Sequence, residues 1–373
     1  MNFAFSEEQD ALRDSARRFL EDKCGSPVVR SLMETEKGFD DAMWRQMAEL
    51  GWHGMAIPEE YGGVGYSWIE LIVLLEEMGR ALLPAPFFSS VVLAANVILN
   101  AGSADQKKSL LPGIASGETI ATLALTEANG RWDVSGIELR ASGGKLTGTK
   151  TFVLDGHVAD TLVVAARDGE RGEDARAGIS LYVVKADAPG VTRRPLATMD
   201  LTRKQAEITF AEAPGELLGE AGTGWAAVQK TLDQACVAIA AEQVGGAQRC
   251  LDMSVAYAKV RVQFGRPIGS FQAIKHKCAD MLLEVESSKS AAYYAAWAAA
   301  EDNDELPVVS SLAKAYCSDA YFHCAAENIQ IHGGIGFTWE HDAHLYFKRA
   351  KTDEVLFGDA TYHRELLAQR IGL

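Results

Sequence analysis

The tetrapeptide Gly222-Thr223-Gly224-Trp225 separates two kinds of sequence in this chain of 373 residues. After it the alanine content rises, and long helical patterns follow one another. These patterns cover residues 225–262, 270–301, 307–333 and 340–370. Their lengths and short connections predict a four-helix bundle over residues 223–373.

Before the tetrapeptide the period changes to short segments rich in Thr, Val and Ile, separated by turn residues such as Gly143-Gly144. The segments are residues 119–125, 145–154, 161–166, 179–185 and 206–210. The helices that a parallel βαβ sheet would require are missing between them. We therefore predict a middle β domain, a barrel or sandwich, over residues 118–222.

The N-terminal part of the chain is predicted to be helical. Ser6 is followed by an acidic first turn and Gln9, and apolar residues recur from Leu12 to Leu20, which is the start of an amphipathic helix. Further helical patterns occupy residues near 40–50, 67–83 and 85–101. The predicted fold class is α+β, with an all-α domain over residues 1–117, the β domain, and the four-helix bundle.

The charge of the chain limits its ligands. Lys and Arg number 36 against 51 Asp and Glu, which gives a formal net charge of −15 and a pI near 5. A reader of nucleic-acid backbones needs the opposite sign, so we expect no nucleic-acid partner. Any phosphate group must be bound by a local cluster of Lys, Arg or helix N-termini.

The six cysteines form no Cys-x-x-Cys pair, which is typical of reduced core thiols in a cytosolic protein. No cationic start precedes an apolar stretch, so we expect neither a signal peptide nor a membrane span, and a cytoplasmic location. Four C-terminal histidines, His332, His341, His344 and His363, show no metal-binding spacing with a carboxylate, and no metal is expected.

Two stretches carry candidate binding chemistry. Residues 261–274 contain RVQFGRPI and FQAI, and residues 330–337 read QIHGGIGF. Arg261 could fork onto a pyrophosphate, with the apolar Phe264 one turn away on the same side of a helix. Gln330 could bond the adenosine end of a dinucleotide, while Gly333 and Gly334 let backbone amides approach. Taken alone, the glycines are more typical of a helix end than of a nucleotide site, and Arg261 is equally typical of a solvated helix charge.

In combination these stretches resemble two signatures of the acyl-CoA dehydrogenase family, and the resemblance extends from Phe5 to about Lys351. It implies FAD-dependent dehydrogenation of the Cα–Cβ bond of an acyl-CoA thioester, giving the 2-enoyl-CoA. It also implies that neighbouring subunits share the flavin, in a homo- or heterotetramer with a sister subunit, and that electrons pass to an acceptor such as an electron-transfer flavoprotein. The C-terminal residues it assigns to FAD are Arg261, Phe264, Gln272, Gln330, Gly333 and Gly334.

The same resemblance assigns the isoalloxazine contacts to the β domain. The residues are Leu123, Leu125, Thr126, Trp132, Phe152, Val153 and Leu154. Leu125-Thr126-Glu127 matches the family's Thr-Glu element, but Trp132 replaces a small serine near the thioester channel. Phe152 stands where the family commonly has Trp, and Leu154 where it commonly has Thr. Without the other motifs, residues 150–154 would be interpreted as an ordinary alternating strand.

The position of the base is the main departure from the family. Dehydrogenation needs a carboxylate in an apolar pocket to take the proton next to the thioester. By alignment, Phe357 occupies the usual Glu position, and Ala235 occupies the alternative position used by a minority of the family. The remaining candidates are Glu242, two turns beyond Ala235 on the same helix face, and Asp359. The alternative for Glu242 is a pair with Arg249 or a bond to a substrate hydroxyl, and the alternative for Asp359 is a helix cap. A third possibility is that the chain contains no base.

Three functions remain open on the sequence. The first is acyl-CoA dehydrogenation with a variant pocket, suited to a branched, cyclic or steroid-derived acyl group. The second is a non-catalytic or half-site subunit that completes a partner's flavin site. The third is a flavin monooxygenase or nitroalkane oxidase of the same fold, in which acyl-CoA would not bleach the flavin.

Overall fold

The computed structural model describes residues 5–168 and 174–373, and the chain folds into two compact units. The first unit comprises Met1–Arg30, Trp68–Leu83 and Cys236–Leu373. The second comprises Ser31–Ser67 and Pro84–Ala235. Helices α2 (Ser26–Met33) and α7 (Gly224–Val260) each run from one unit into the other.

In the described residues of the first unit, the regular secondary structure is helical apart from one short hairpin. Besides parts of α2 and α7 it contains α1 (Glu7–Lys23), α4 (Trp68–Ala81), α8 (Gln272–Ala300), α9 (Leu306–His332), α10 (Ala343–Val355) and α11 (Ala360–Arg370). The predicted start of α1 is confirmed, because Ser6 Oγ accepts from the Gln9 amide and Gln9 Oε1 accepts from the Ser6 amide, a capping box.

Glycines allow the α4 and α7 backbones to touch. A Cβ on Gly245 would lie 1.8 Å from the Glu76 carbonyl oxygen, and one on Gly79 would lie 2.1 Å from the Glu242 carbonyl oxygen. On the next face of α7, a Cβ on Gly246 would lie 2.5 Å from the Tyr321 hydroxyl oxygen. Since real Cβ atoms do not approach other atoms so closely, only glycine permits this packing.

The predicted fourth helix over residues 340–370 is wrong in one respect, because the chain forms two helices there. Phe357 and Gly358 have positive φ values of 62° and 105°, which an α-helix cannot contain. Asp359 then begins α11, with its Oδ1 accepting from the Tyr362 amide at 2.8 Å. A left-handed pair followed by an N-cap therefore ends α10 and starts the next helix.

The second unit combines helices with a sheet. Its helices are α3 (Asp41–Glu49), α5 (Ala95–Ala101) and α6 (Ala104–Ala115), and a π-helical segment over Phe88–Ala94 precedes α5. The strands are β1 (Ala121–Ala124), β2 (Arg140–Ser142), β3 (Lys145–Leu154), β4 (Thr161–Asp168), β5 (Ile179–Lys185), β6 (Val191–Pro195), β7 (Gln205–Pro214) and β8 (Glu216–Leu218). The five predicted strands are present; β2, β6 and β8 are short additions.

Within the described residues these eight strands form one sheet in the order β6-β7-β3-β2-β4-β5-β8, with β1 paired to β4. Most pairs are antiparallel, but β1 and β2 both pair with β4 in parallel although no α-helix separates them from it in the chain. The apolar core of the sheet includes Leu146, Leu162, Val164 and Ile208, none more than 1% exposed. The predicted fold class, helical at both ends with a β domain in the middle, is confirmed.

Candidate functional site

The two segments of the β domain assigned to the flavin are joined to each other. Thr126 Oγ1 donates to the Thr151 carbonyl oxygen at 2.6 Å, and the Thr151 amide donates to the Thr126 carbonyl oxygen at 2.9 Å. Both residues are buried. The Leu125–Glu127 segment and the end of β3 therefore form a single rigid edge of the second unit.

A buried ion pair lies behind this edge. Lys150 Nζ donates to Glu127 Oε1 at 2.7 Å and to the Leu125 carbonyl oxygen at 2.9 Å, with the lysine fully buried. The same Glu127 oxygen accepts from the Glu138 and Leu139 amides, each at 2.9 Å. Burial lowers the pKa of Lys150 from 10.5 to about 8, partly offset by the Glu127 carboxylate.

Phe152 leaves the strand pattern. Its φ is +57°, in the left-handed region, and the β3–β7 register shifts between Lys150 and Val153. The ring is 44% exposed although Thr151 and Val153 on either side are buried. A bulge that holds an aromatic residue in a strained conformation re-aims its side chain, which is typical of functional positions.

The remaining assigned residues of the β domain have different surroundings. Leu123, Leu125 and Leu154 are buried, and the Leu154 carbonyl oxygen accepts from Thr122 Oγ1 at 2.7 Å. Val153 belongs to the apolar core of the sheet. Trp132 is half-buried in the loop before Val134–Gly136. Among the assigned side chains of the β domain, Phe152 is thus the most exposed.

In the first unit, the helical placement of Phe264 is wrong, whereas Arg261 lies at the C-terminal end of α7, where its amide donates to the Tyr257 carbonyl oxygen at 2.9 Å. Helix α7 ends at Val260, and a hairpin follows, made of β9 (Val262–Gln263) and β10 (Arg266–Pro267). Phe264 and Gly265 form its two-residue turn with φ values of 52° and 76°. Two successive positive φ values are typical of a type I′ turn. Phe264 is therefore displayed at the tip of a hairpin, 91% exposed.

The residues assigned to the dinucleotide in this unit are all exposed: Arg261, Phe264, Gln272, Gln330, Gly333 and Gly334. The Arg261 guanidinium pairs with no carboxylate in residues 5–168 and 174–373. A Cβ built on Gly333 or Gly334 would meet no atom within 4 Å. Packing within this chain therefore does not explain the absence of side chains at the two glycines, although φ of +61° favours glycine at Gly333.

Contacts between α7 and α9 bring the two motifs together. The Tyr257 ring, one turn before Arg261, stacks on the His332 ring with centroids 4.3 Å apart. One helical turn earlier on both helices, Ser254 Oγ lies 3.0 Å from Asn328 Oδ1. His332 is fixed in turn by its Nδ1, which donates to the Asn328 carbonyl oxygen at 2.7 Å. The cation of one motif and the glycines of the other thus lie at neighbouring helix ends.

These observations fit a dinucleotide such as FAD. An exposed guanidinium without a carboxylate partner among the described residues can bind pyrophosphate oxygens, and exposed glycine backbone leaves room for a ligand to approach. In the second unit, Phe152 offers an aromatic surface for stacking. Each unit therefore has groups of the kind that FAD requires.

The base candidates differ sharply in burial. Glu242 is 6% exposed on α7, and Ala240, Ala241 and Val244 around it are fully buried. Asp359 is exposed, and its carboxylate caps α11. The side chain of Arg249, the suggested partner of Glu242, hydrogen-bonds Tyr346.

Both family positions for the base hold buried residues without a carboxylate. Ala235 is fully buried, and Phe357 is 4% exposed with its carbonyl oxygen 3.0 Å from His363 Nε2. His363 is itself buried, and burial lowers its pKa to about 3. The imidazole is therefore neutral and donates to that carbonyl.

The sequence interpretation missed Lys150. The signal was its parity with Leu146 and Gly148 on β3, which places a lysine among inward-facing positions of a strand. A charged residue at such a position needs a buried partner, and Glu127 in the Thr-Glu element was the available carboxylate.

The cysteines and histidines form no metal centre in the described ranges: all six cysteines are free, and no group of His, Cys, Asp and Glu could hold an ion. None of the described helices is long and apolar enough to cross a membrane.

Comparison with known protein families gives three matches in chain order. The N-terminal domain of acyl-CoA dehydrogenases matches residues 6–118, the middle domain residues 122–213, and the C-terminal domain residues 222–372. A Mycolicibacterium smegmatis protein named acyl-CoA dehydrogenase IpdE2 is 36% identical over 356 residues, which cover 95% of each chain.

Two solved structures have a similar fold over almost the whole chain. A structure described as the Tcur3481-Tcur3483 steroid ACAD has 32% identity and a TM-score of 0.87, covering 98% of both chains. The ChsE4-ChsE5 complex from Mycobacterium tuberculosis has 29% identity and a TM-score of 0.89, covering 100% of this chain and 99% of that one. The three domain matches and these relatives show that the chain belongs to the acyl-CoA dehydrogenases, a family of oxidoreductases.

Proposed function

We propose that the chain binds FAD and dehydrogenates the Cα–Cβ bond of an acyl-CoA thioester, releasing the 2-enoyl-CoA. The observation that carries the proposal is the exposed pair of motifs at the ends of α7 and α9, where Arg261 has no carboxylate partner among the described residues and Gly333 and Gly334 face open space. FAD, when bound, supplies the acceptor for the hydride that leaves the β carbon.

The residues of this chain would bind FAD and orient its ring system. Arg261 would pair with the pyrophosphate, and the backbone at Gly333 and Gly334 would approach the nucleotide. In the β domain, Phe152 would pack against the ring system, next to the rigid edge at Thr126. The C-terminal motifs are exposed, and no described residue of their own unit would cover a nucleotide bound there. We therefore propose that a neighbouring subunit completes the site.

Glu242 is our candidate for the group that takes the proton from the α carbon. It is a buried carboxylate in an apolar stretch of α7, whereas the Asp359 carboxylate is exposed at the start of α11. Glu242 would take the α proton while the β hydride leaves for the acceptor. The electron pair of the broken α C–H bond then becomes the second bond between Cα and Cβ.

We propose a bulky acyl group, branched, cyclic or steroid-derived, as the substrate class. Support comes from the replacement of the usual Glu by Phe357 and from the similarity to a protein described as a steroid ACAD. The electron acceptor would be an electron-transfer flavoprotein or a similar protein, and the chain would act in the cytoplasm.

A second function is favoured by the same departures from the family. Phe357 and Ala235 leave both family base positions without a carboxylate, and one relative was solved as the ChsE4-ChsE5 complex. The chain would then serve as the half-site subunit of a heterotetramer, completing the flavin site of a sister chain.

Anaerobic mixing of the purified full chain with a panel of acyl-CoAs tests both proposals. The expected result is a yellow protein whose flavin absorbance is bleached by one class of acyl-CoA. A colourless protein that becomes yellow only with a sister chain would support the half-site function. A yellow protein that no acyl-CoA bleaches would contradict the dehydrogenase proposal and favour a monooxygenase or oxidase.

A further inference from the structure

The buried Lys150–Glu127 pair lies directly behind the edge that we propose to contact the flavin. We infer that Lys150 and Glu127 are positioning residues, which hold the backbone of Leu125–Glu127 and of Thr151–Phe152 in the geometry that the isoalloxazine ring requires. The inference rests on the proposed function, because it concerns how this chain would bind FAD.

The network joins three pieces of chain. Lys150 on β3 donates to the Leu125 carbonyl at 2.9 Å and to Glu127 at 2.7 Å, and Glu127 accepts from the Glu138 and Leu139 amides. An ammonium group with no exposure is costly to bury, and an apolar pair of similar volume is often as stable, so stability alone does not account for the pair. Apart from the bond between the two side chains, the hydrogen bonds of the pair are made with backbone groups, namely the Leu125 carbonyl and the Glu138 and Leu139 amides.

The geometry of the pair bears on both flavin segments at once. Thr126 and Thr151 exchange two hydrogen bonds next to it, at 2.6 and 2.9 Å. The residue immediately after this pair of hydrogen bonds is Phe152, which has a left-handed backbone conformation. Such a strained residue persists only when its surroundings over-determine it, and the clamp formed by Lys150, Glu127 and the two threonines supplies that constraint.

Lys150→Met tests the inference through the bound flavin. The variant loses the bond to the Leu125 carbonyl, so the segment is no longer held in its binding conformation and must be ordered when FAD binds, which should lower FAD affinity by about tenfold. The visible circular dichroism of the flavin, measured at saturating FAD, should also change because the ring is less well fixed. Thermal unfolding of the apoprotein is recorded in parallel.

The double variant Lys150→Met/Glu127→Gln separates positioning from stability. The glutamine amide introduced at this position keeps an acceptor for the two backbone amides, and no buried charge is left alone, so the apoprotein should recover most of the stability lost in the single variant. FAD affinity and the flavin signal should stay altered, because the Leu125 carbonyl still lacks its donor. If both recovered together with stability, the pair would be a structural feature only, and the inference would be overturned.

A matched control and the wild type complete the design. Arg194→Met breaks the exposed Arg194–Glu207 pair between β6 and β7, and FAD binding should remain unchanged. If Lys150→Met fails to fold, Glu127→Gln alone is measured, and wild-type affinity with a wild-type flavin signal would overturn the inference. If the wild type takes up no FAD, the proposed function fails together with the inference. If the wild type binds FAD and the variants bind it equally well with the same flavin signal, only the inference fails.

Discussion

Glu242 is the residue on which the proposed chemistry most depends. Glu242→Gln keeps the shape of the side chain but cannot accept the α proton. We expect acyl-CoA to bind as before, while the rate of flavin bleaching falls by about 10²-fold or more, the usual contribution of a general base. Stopped-flow absorbance under anaerobic conditions measures both the affinity and the rate.

Asp359→Asn is the matched control for this prediction. Asn caps helices as well as Asp, so α11 should be retained, and bleaching should continue at the wild-type rate. Loss of bleaching in Asp359→Asn together with normal bleaching in Glu242→Gln would transfer the role of base to Asp359. Normal bleaching in both variants would exclude both carboxylates as the base.

Sequence patterns predicted single residues best where the local conformation was regular. The Ser6 cap and the cap formed by Asp359 were both foreseen, because capping depends on neighbours within three residues. Phe264 was wrongly placed on a helix, because the helical pattern of α7 was extended past its end into the turn formed by Phe264 and Gly265. Lys150 was missed because its partner, Glu127, is distant in sequence and the strand that contains the lysine was judged by its apolar residues.

At the level of elements, the contact between α4 and α7 is set by glycine. Gly245→Ala would place a Cβ 1.8 Å from the Glu76 carbonyl oxygen, so the helices would have to separate. Overpacking of this kind typically costs about 1–3 kcal/mol, and backbone-to-backbone contact belongs at the upper end. Urea unfolding of the apoprotein should show the loss.

Gly334→Ala provides the control within the same unit. Its Cβ would meet no atom within 4 Å, so the stability of the apoprotein should change little. The substitution should nevertheless weaken FAD binding, since Gly334 belongs to the proposed nucleotide segment. Equal losses of stability in the two variants would contradict the packing argument.

Long helices and strands were predicted more accurately from the sequence than short ones. The patterns for α7, α8 and α9 and for β3, β4 and β5 were placed within a few residues, because long periodic runs average out local exceptions. Strands β2 and β8 have three residues each, too few for a pattern. The left-handed pair Phe357 and Gly358, which ends α10 before the Asp359 cap, was not predicted, because a positive φ at a phenylalanine leaves no signal in the residue pattern.

At the level of the whole molecule, the two units share one electrostatic feature: each contains a buried histidine that folding keeps neutral. His53 in the second unit is fully buried against the Trp44 ring, and burial lowers its pKa from 6.5 to about 3. Burial lowers the pKa of His363 in the first unit to about 3 as well. Acid should therefore destabilise both units.

The sign of the effect follows from proton binding in the two states. Between pH 6.5 and about 3 the unfolded chain binds a proton at each of these histidines and the folded chain does not. Stability is therefore fully present above pH 6.5 and is lost as the pH falls, by about 1.4 kcal/mol per pH unit for each histidine.

The variant His53→Phe isolates one of these contributions. Phe keeps an aromatic ring next to Trp44 and Phe87 but binds no proton in either state, so the acid slope of the unfolding free energy should decrease by about 1.4 kcal/mol per pH unit in the unit that contains residue 53. Urea titrations at several pH values between 4 and 7 measure the slope, and every other titrating group cancels in the comparison with the wild type. An unchanged slope would mean that His53 is protonated in the folded chain, which would require water to reach a side chain that the structure shows fully buried.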